Sequence, residues 1–131
     1  MLYLGWSYSA CSPGLLSGRV SEQGLPEGDW RATTPRFQGD DFAANVALAR
    51  EIQALVLAKG CTPAQLALAW VLSRGSNILA LTGTTKLTHL KDNLGACAVA
   101  LSAEEQASLD GFAPRVLGDR YDSWGMAGIN G

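Results

Sequence analysis

Apolar side chains return at intervals of three and four from Phe42 through Val46, Ala49, Ile52, Leu55 and Val56. That stripe predicts an amphipathic helix. Asp40 or Asp41 can cap its start, and Lys59 with Gly60 closes it: a cation at the negative end of the dipole, then a residue free to turn left-handed. A second helix is predicted at once. Thr62-Pro63-Ala64-Gln65 joins an N-cap, a proline at the first helical position and a capping-box glutamine. The body from Leu66 to Leu72 is apolar nearly all round, which predicts burial on more than one side, and Gly75 ends it.

The remaining pattern is shorter-ranged. Residues 2–9 are aromatic-rich and bounded by Cys11-Ser12-Pro13-Gly14, which reads as a strand running into a loop. Residues 14–40 hold five Gly and two Pro, so a long, mostly irregular connection is expected. Ile78-Leu79-Ala80-Leu81 shows no alternation and predicts a strand covered on both faces, as in a parallel sheet. A third helix is expected from roughly Leu87 to Leu94. A fourth follows the capping box Ser102-Ala103-Glu104-Glu105 and runs to about Phe112, before a Gly-rich tail. The order strand, loop, helix, helix, strand, helix points to right-handed crossovers on a parallel sheet. Two strands do not make a stable sheet alone, so more must be supplied from elsewhere.

Composition narrows the function classes. With 131 residues, 47% of them hydrophobic, the chain suits one globular unit, residues 1–131, with one core. A formal charge of −2, with no run of four basic residues, gives no field for nucleic acid or acidic lipid. Cys11, Cys61 and Cys97 are too far apart for metal spacing and odd in number, so free thiols and a reducing, cytoplasmic setting are expected. No run approaches the ~18 apolar residues a membrane span needs, and the interrupted start at Met1 to Ser9 is a poor signal peptide.

Chemistry concentrates after residue 81. The strand ends in Thr82-Gly83-Thr84-Thr85-Lys86, and a helix opens there. Backbone N–H groups, the positive dipole end, two hydroxyls and an ammonium would together favour a phosphate. The plainer alternative is a strand-to-helix turn in which Thr84 or Thr85 is only the N-cap. Elsewhere the residues read as structure: Trp70 as core, His89 as a solvated histidine unless it meets a phosphate, Glu104 and Glu105 as a helix cap and first turn. Nothing activates Cys11 as a nucleophile.

Several segments, in order along nearly the whole chain, resemble the aldo-keto reductase superfamily. They are Tyr8-Ser9, with Gly14-Leu15-Leu16-Ser17-Gly18 five positions on; Pro35-Arg36-Phe37-Gln38-Gly39; and Thr62-Pro63-Ala64-Gln65-Leu66-Ala67-Leu68-Ala69-Trp70. Then come Gly83-Thr84-Thr85-Lys86, Leu90-Lys91-Asp92-Asn93-Leu94-Gly95-Ala96, the helix start at Leu101-Ser102, and Gly118-Asp119-Arg120-Tyr121. The resemblance implies an α/β fold, the C-terminal part of a (β/α)8 TIM barrel, roughly strands 7–8 with their helices. Loops after those strands are the usual phosphate site of such barrels. It also implies NADP(H) as cofactor and a small carbonyl substrate. Tyr8 matches the aromatic that stacks on the nicotinamide, and Ser9 follows it at a cofactor-contact position. Gly83, Thr84, Thr85 and Lys86 match residues around the adenosine 2′-phosphate, with His89 where an Arg often stands. Asp92 and Asn93 match positions near the adenine.

Two departures accompany the match. Where the family reads Pro-Leu-Gly-Arg, this chain has Ala10-Cys11-Ser12-Pro13, and Pro13 removes a backbone donor from the pyrophosphate side. The family's catalytic Tyr, Asp, Lys and His lie on early strands and have no counterpart here; Tyr3, Tyr8 and Tyr121 do not match that Tyr. The expectation is a truncated carbonyl-reducing oxidoreductase, inactive alone, with a non-catalytic NADP(H)-binding module or a degenerate remnant as alternatives. Open sheet edges predict self-association.

Overall fold

The computed structural model describes residues 24–128 and the backbone of one earlier strand, β1 (Gly5–Tyr8). Downstream lie α1 (Gly39–Lys59), α2 (Pro63–Leu72), β2 (Ile78–Leu81), α3 (Leu87–Gly95), α4 (Ala103–Phe112) and a short α5 (Ser123–Ala127). β1 and β2 pair in parallel, Gly5 opposite Ile78 and Tyr8 opposite Leu81. The connection between them carries α1 and α2, as crossover logic requires. Among the described residues no single helix is long and apolar enough to cross a membrane.

Local signals set most boundaries. Gly60 adopts φ 67°, ψ 31°, and its N–H reaches back to the Val56 carbonyl at 3.0 Å, which ends α1. The α2 capping box is complete: the Gln65 N–H donates to Thr62 Oγ1 at 3.2 Å, and the Thr62 N–H donates to Gln65 Oε1 at 3.0 Å. The Ser102 and Glu105 pair does the same for α4. Two helix boundaries differ from the sequence reading, and two segments outside the predicted helices carry short helical turns. Gln38, not Asp40 or Asp41, is the α1 N-cap, and the two aspartates sit in the first turn, where the dipole still favours them. Ser73 caps α2 before Gly75 is reached. The connection ahead of α1 is organised, in its described half, into two 3-10 turns, Trp30–Thr33 and Pro35–Phe37. The Gly-rich tail contains the 3-10 turn Ala113–Arg115 and α5.

The central cluster joins three helices: Ile52 and Val56 from α1, Leu66 from α2 and Leu109 from α4, flanked by Leu55, Cys61, Trp70, Leu101 and Phe112. Each fully buried aliphatic of this kind contributes about 1.5–3 kcal/mol. Leu66 to Ala69 are buried consecutively, so α2 is enclosed all round. Trp70 is only half-buried: its ring packs on the cluster while Nε1 donates to Asp110 Oδ1 at 2.8 Å and Arg74 stacks over the ring. Burial pushes the Cys61 thiol up, so it stays protonated.

The reading of β2 as covered on both faces is not met. Ile78 and Ala80 are half-buried on the side of α2, whereas Leu79 and Leu81 remain 44% and 42% exposed. An apolar run reports the surroundings a strand suits; among the described residues only one face has them. α3 likewise buries no residue, and Leu87, Leu90 and Leu94 are exposed.

One buried polar residue fixes the tail. Asn45 is fully enclosed; its Nδ2 donates to the carbonyls of Arg36 (3.1 Å) and Leu117 (2.8 Å), and its Oδ1 accepts the Leu117 N–H (2.9 Å). Arg36 Nε donates to the Gly118 carbonyl at 3.1 Å. Gly118 has φ 77°, and a Cβ there would lie 2.9 Å from the Arg36 nitrogen, so only glycine passes. Asn45→Ala would strand three backbone groups and is expected to cost about 2–4 kcal/mol, measured by urea unfolding; a loss under about 0.5 kcal/mol would contradict this account.

Surface carboxylates give a pH signature. Glu105 is held low by Lys59, at 2.6 and 2.7 Å, and by the Ser102 N–H. Arg74 and Trp70 depress Asp110, Arg115 depresses Glu51, and Arg31 pulls Asp29 down to about 2. Each folded value lies below its unfolded one, so the stabilisation is present above about pH 4 and disappears as pH falls through the lowered values. Urea midpoints between pH 7 and 2 should fall on the acid limb, and Lys59→Met should flatten that fall by relieving Glu105. An unchanged acid limb in the variant would show that the ion pair does not couple to folding.

Candidate functional site

Parallel pairing sends the ends of β1 and β2 to the same edge. Tyr8 sits opposite Leu81, and residues 82–86 leave the sheet beside the exit of β1. The turn then enters α3, whose N-cap is Lys86, not Thr84 or Thr85; Lys86 is extended (φ −116°, ψ 127°) and makes no side-chain cap bond. Thr84 closes the turn instead. Its Oγ1 accepts the Lys86 N–H at 3.2 Å and lies 3.5 Å from both the Lys86 carbonyl oxygen and His89 Nδ1. One hydroxyl therefore gathers the residues on either side of the helix start.

Gly83, Thr84, Thr85, Lys86 and His89 line one open depression of about 540 Å³. Its chemistry is one-sided. The walls offer hydroxyls, an ammonium and an imidazole, and none of the lining residues carries a carboxylate. The first helical bond of α3 runs from the Leu90 N–H to the Lys86 carbonyl at 3.1 Å, so the Leu87 and Thr88 N–H groups precede the ladder at the positive dipole end. A Cβ on Gly83 would meet nothing within 4 Å, so the space above that backbone stays open toward the depression. An anion such as a phosphate fits this donor set. Among the described residues no group of three or more His, Cys, Asp or Glu could hold a metal ion.

The nine residues singled out in the sequence fall into three groups. Gly83, Thr84, Thr85, Lys86 and His89 come together as one surface. Asp92 and Asn93, further along α3, do not line it. Asp92 is half-buried and faces α2, its Oδ2 accepting the Thr62 hydroxyl at 3.0 Å and its carbonyl accepting Gln65 Nε2 at 2.9 Å. For Tyr8 only the backbone is described, and Ser9 lies outside the described residues, as do Cys11 and Pro13. The link from Thr62 and Gln65 to Asp92 was missed in the sequence. The signal for Gln65 was visible as a capping box, but its second partner is 27 residues away.

Comparison with known proteins adds to the geometry. A sequence model described as the aldo/keto reductase family matches residues 6–114. Among solved structures, the chain is similar to a glycerol dehydrogenase from Gluconobacter oxydans, with 29% identity and a TM-score of 0.69. That likeness covers 88% of this chain and 36% of the dehydrogenase, so the chain spans little more than a third of that protein's length.

Proposed function

The chain belongs to the aldo/keto reductase family, and from that premise we propose that it holds the adenosine end of NADP(H) for an oxidoreductase that reduces an aldehyde or ketone to an alcohol. The carrying observation is the depression at residues 83–89, lined by hydroxyls, an ammonium and an imidazole with no carboxylate, at the start of a helix. The likeness to a glycerol dehydrogenase supports an alcohol and carbonyl pair as the substrate class. In this reading the segment corresponds to strands 7 and 8 of the family's (β/α)8 barrel, which is consistent with the parallel pairing of β1 and β2.

When bound, the cofactor supplies the hydride. The residues described here bind and orient. Lys86 sits at the N-cap, where its ammonium and the helix dipole act on the same anion. His89 adds a ring nitrogen beside it, and Thr84 keeps the two ends of the turn together. Gly83 leaves room for a phosphate to approach the backbone. These contacts distinguish NADP(H) from NAD(H), because the latter presents no 2′-phosphate to them. The residues that would donate the proton to the carbonyl oxygen have no match in this sequence. Turnover accordingly belongs to the complete barrel, and its pocket loops decide the carbonyl compound.

Lys86→Met is the direct test. A charge-assisted bond is worth about 1.5–3 kcal/mol, so NADPH affinity should fall roughly ten- to a hundredfold while NADH affinity barely moves. Fluorescence titration of both cofactors reads this. Equal losses for the two would assign Lys86 to the scaffold.

A further inference from the structure

We infer that Gln65, on α2, is a positioning residue for the 2′-phosphate site on α3; the inference rests on the function proposed above. Gln65 uses both ends of its carboxamide. Oε1 accepts the Thr62 N–H at 3.0 Å and completes the α2 cap, while Nε2 donates to the Asp92 carbonyl in the middle of α3 at 2.9 Å. The Thr62 hydroxyl, already the N-cap acceptor of α2, donates at 3.0 Å to the Asp92 carboxylate. The start of α2 and the body of α3 are thus joined by one continuous polar network.

Gly95 shows how close the grip is. A Cβ there would stand 2.4 Å from Gln65 Nε2 and 3.4 Å from its Cδ, so the amide lies directly on the glycine. Gln65 therefore holds α3 at two points one turn apart.

The grip matters because, among the described residues, α3 has little apolar burial. None of its residues is buried, and Leu87, Leu90 and Leu94 are exposed. Its apolar anchor is Ala96, 2% exposed, just past its C-terminal end. Toward the opposite end lie His89, roughly 4.5 Å of helix rise from Asp92, and Lys86, roughly 9 Å, by the usual 1.5 Å per residue. With one end anchored, the polar clamp sets where the other end points. α2 is the suitable base, since it is enclosed from Leu66 to Ala69. On this account Asp92 serves the site through Thr62 and its own carbonyl, at a distance from the anion.

The test is a double-mutant cycle read as the ratio of NADPH to NADH affinity, alongside thermal melts. Gly95→Ala leaves Gln65 chemically intact but pushes its amide off the helix, and it favours helix formation. It should nevertheless lower the ratio about three- to tenfold, as should Gln65→Met, which removes the donor. Together they should do no more than either alone, because both break one contact. Where Gln65→Met does not fold, Gln65→Glu replaces it, keeping an acceptor for the Thr62 N–H while losing the donor to Asp92. Unchanged ratios with lowered melting temperatures would overturn the inference and leave Gln65 as a helix cap. Additive losses would overturn it too. A wild type without NADPH preference would instead remove the function proposed above, a separate and distinguishable failure.

Discussion

Everything at the candidate site depends on the parallel register of β1 and β2. Opposing Tyr8 to Leu81 fixes which edge of the sheet both chains leave. It also forces a long return path, since a parallel partner cannot be reached by a hairpin. The chain spends that path on α1 and α2, which form the core with α4. The turn at residues 82–86 then starts from a strand end that is already placed, and α3 opens from it with its positive end at the surface.

Stability and chemistry are divided between neighbouring helices. α2 is enclosed and capped by a complete box, so it is the rigid partner. α3 is exposed, carries His89 with Lys86 at its N-cap, and is joined to α2 by hydrogen bonds. A helix held by polar contacts keeps its N-terminal groups accessible, at the cost of weak apolar anchoring. Leu79 and Leu81 on β2 and Leu87, Leu90 and Leu94 on α3 leave apolar faces open.

What the sequence made legible was what acts over three or four residues. Both capping boxes, the left-handed Gly60 and the bodies of α1 to α4 follow from such short-range rules. The cluster from Gly83 to His89 was legible for the same reason: it lies within seven consecutive residues. Long-range side-chain pairings were not. Asn45 falls beside the apolar stripe of α1, yet its partners at Arg36 and Leu117 are known only once the tail has folded back. Asp92 reads as a surface carboxylate until Thr62 is brought to it. The run at 78–81 could not tell one covered face from two, because the missing alternation describes the strand and not its neighbours.

The central claim is that the turn from Gly83 to His89 reads a 2′-phosphate. Amide chemical-shift mapping with adenosine 2′,5′-bisphosphate against adenosine 5′-monophosphate tests it without any need for turnover. The account predicts that the bisphosphate shifts the amides of residues 83–89 at concentrations where the monophosphate leaves them unmoved. Identical shifts from both nucleotides, or shifts confined to other parts of the chain, would contradict it.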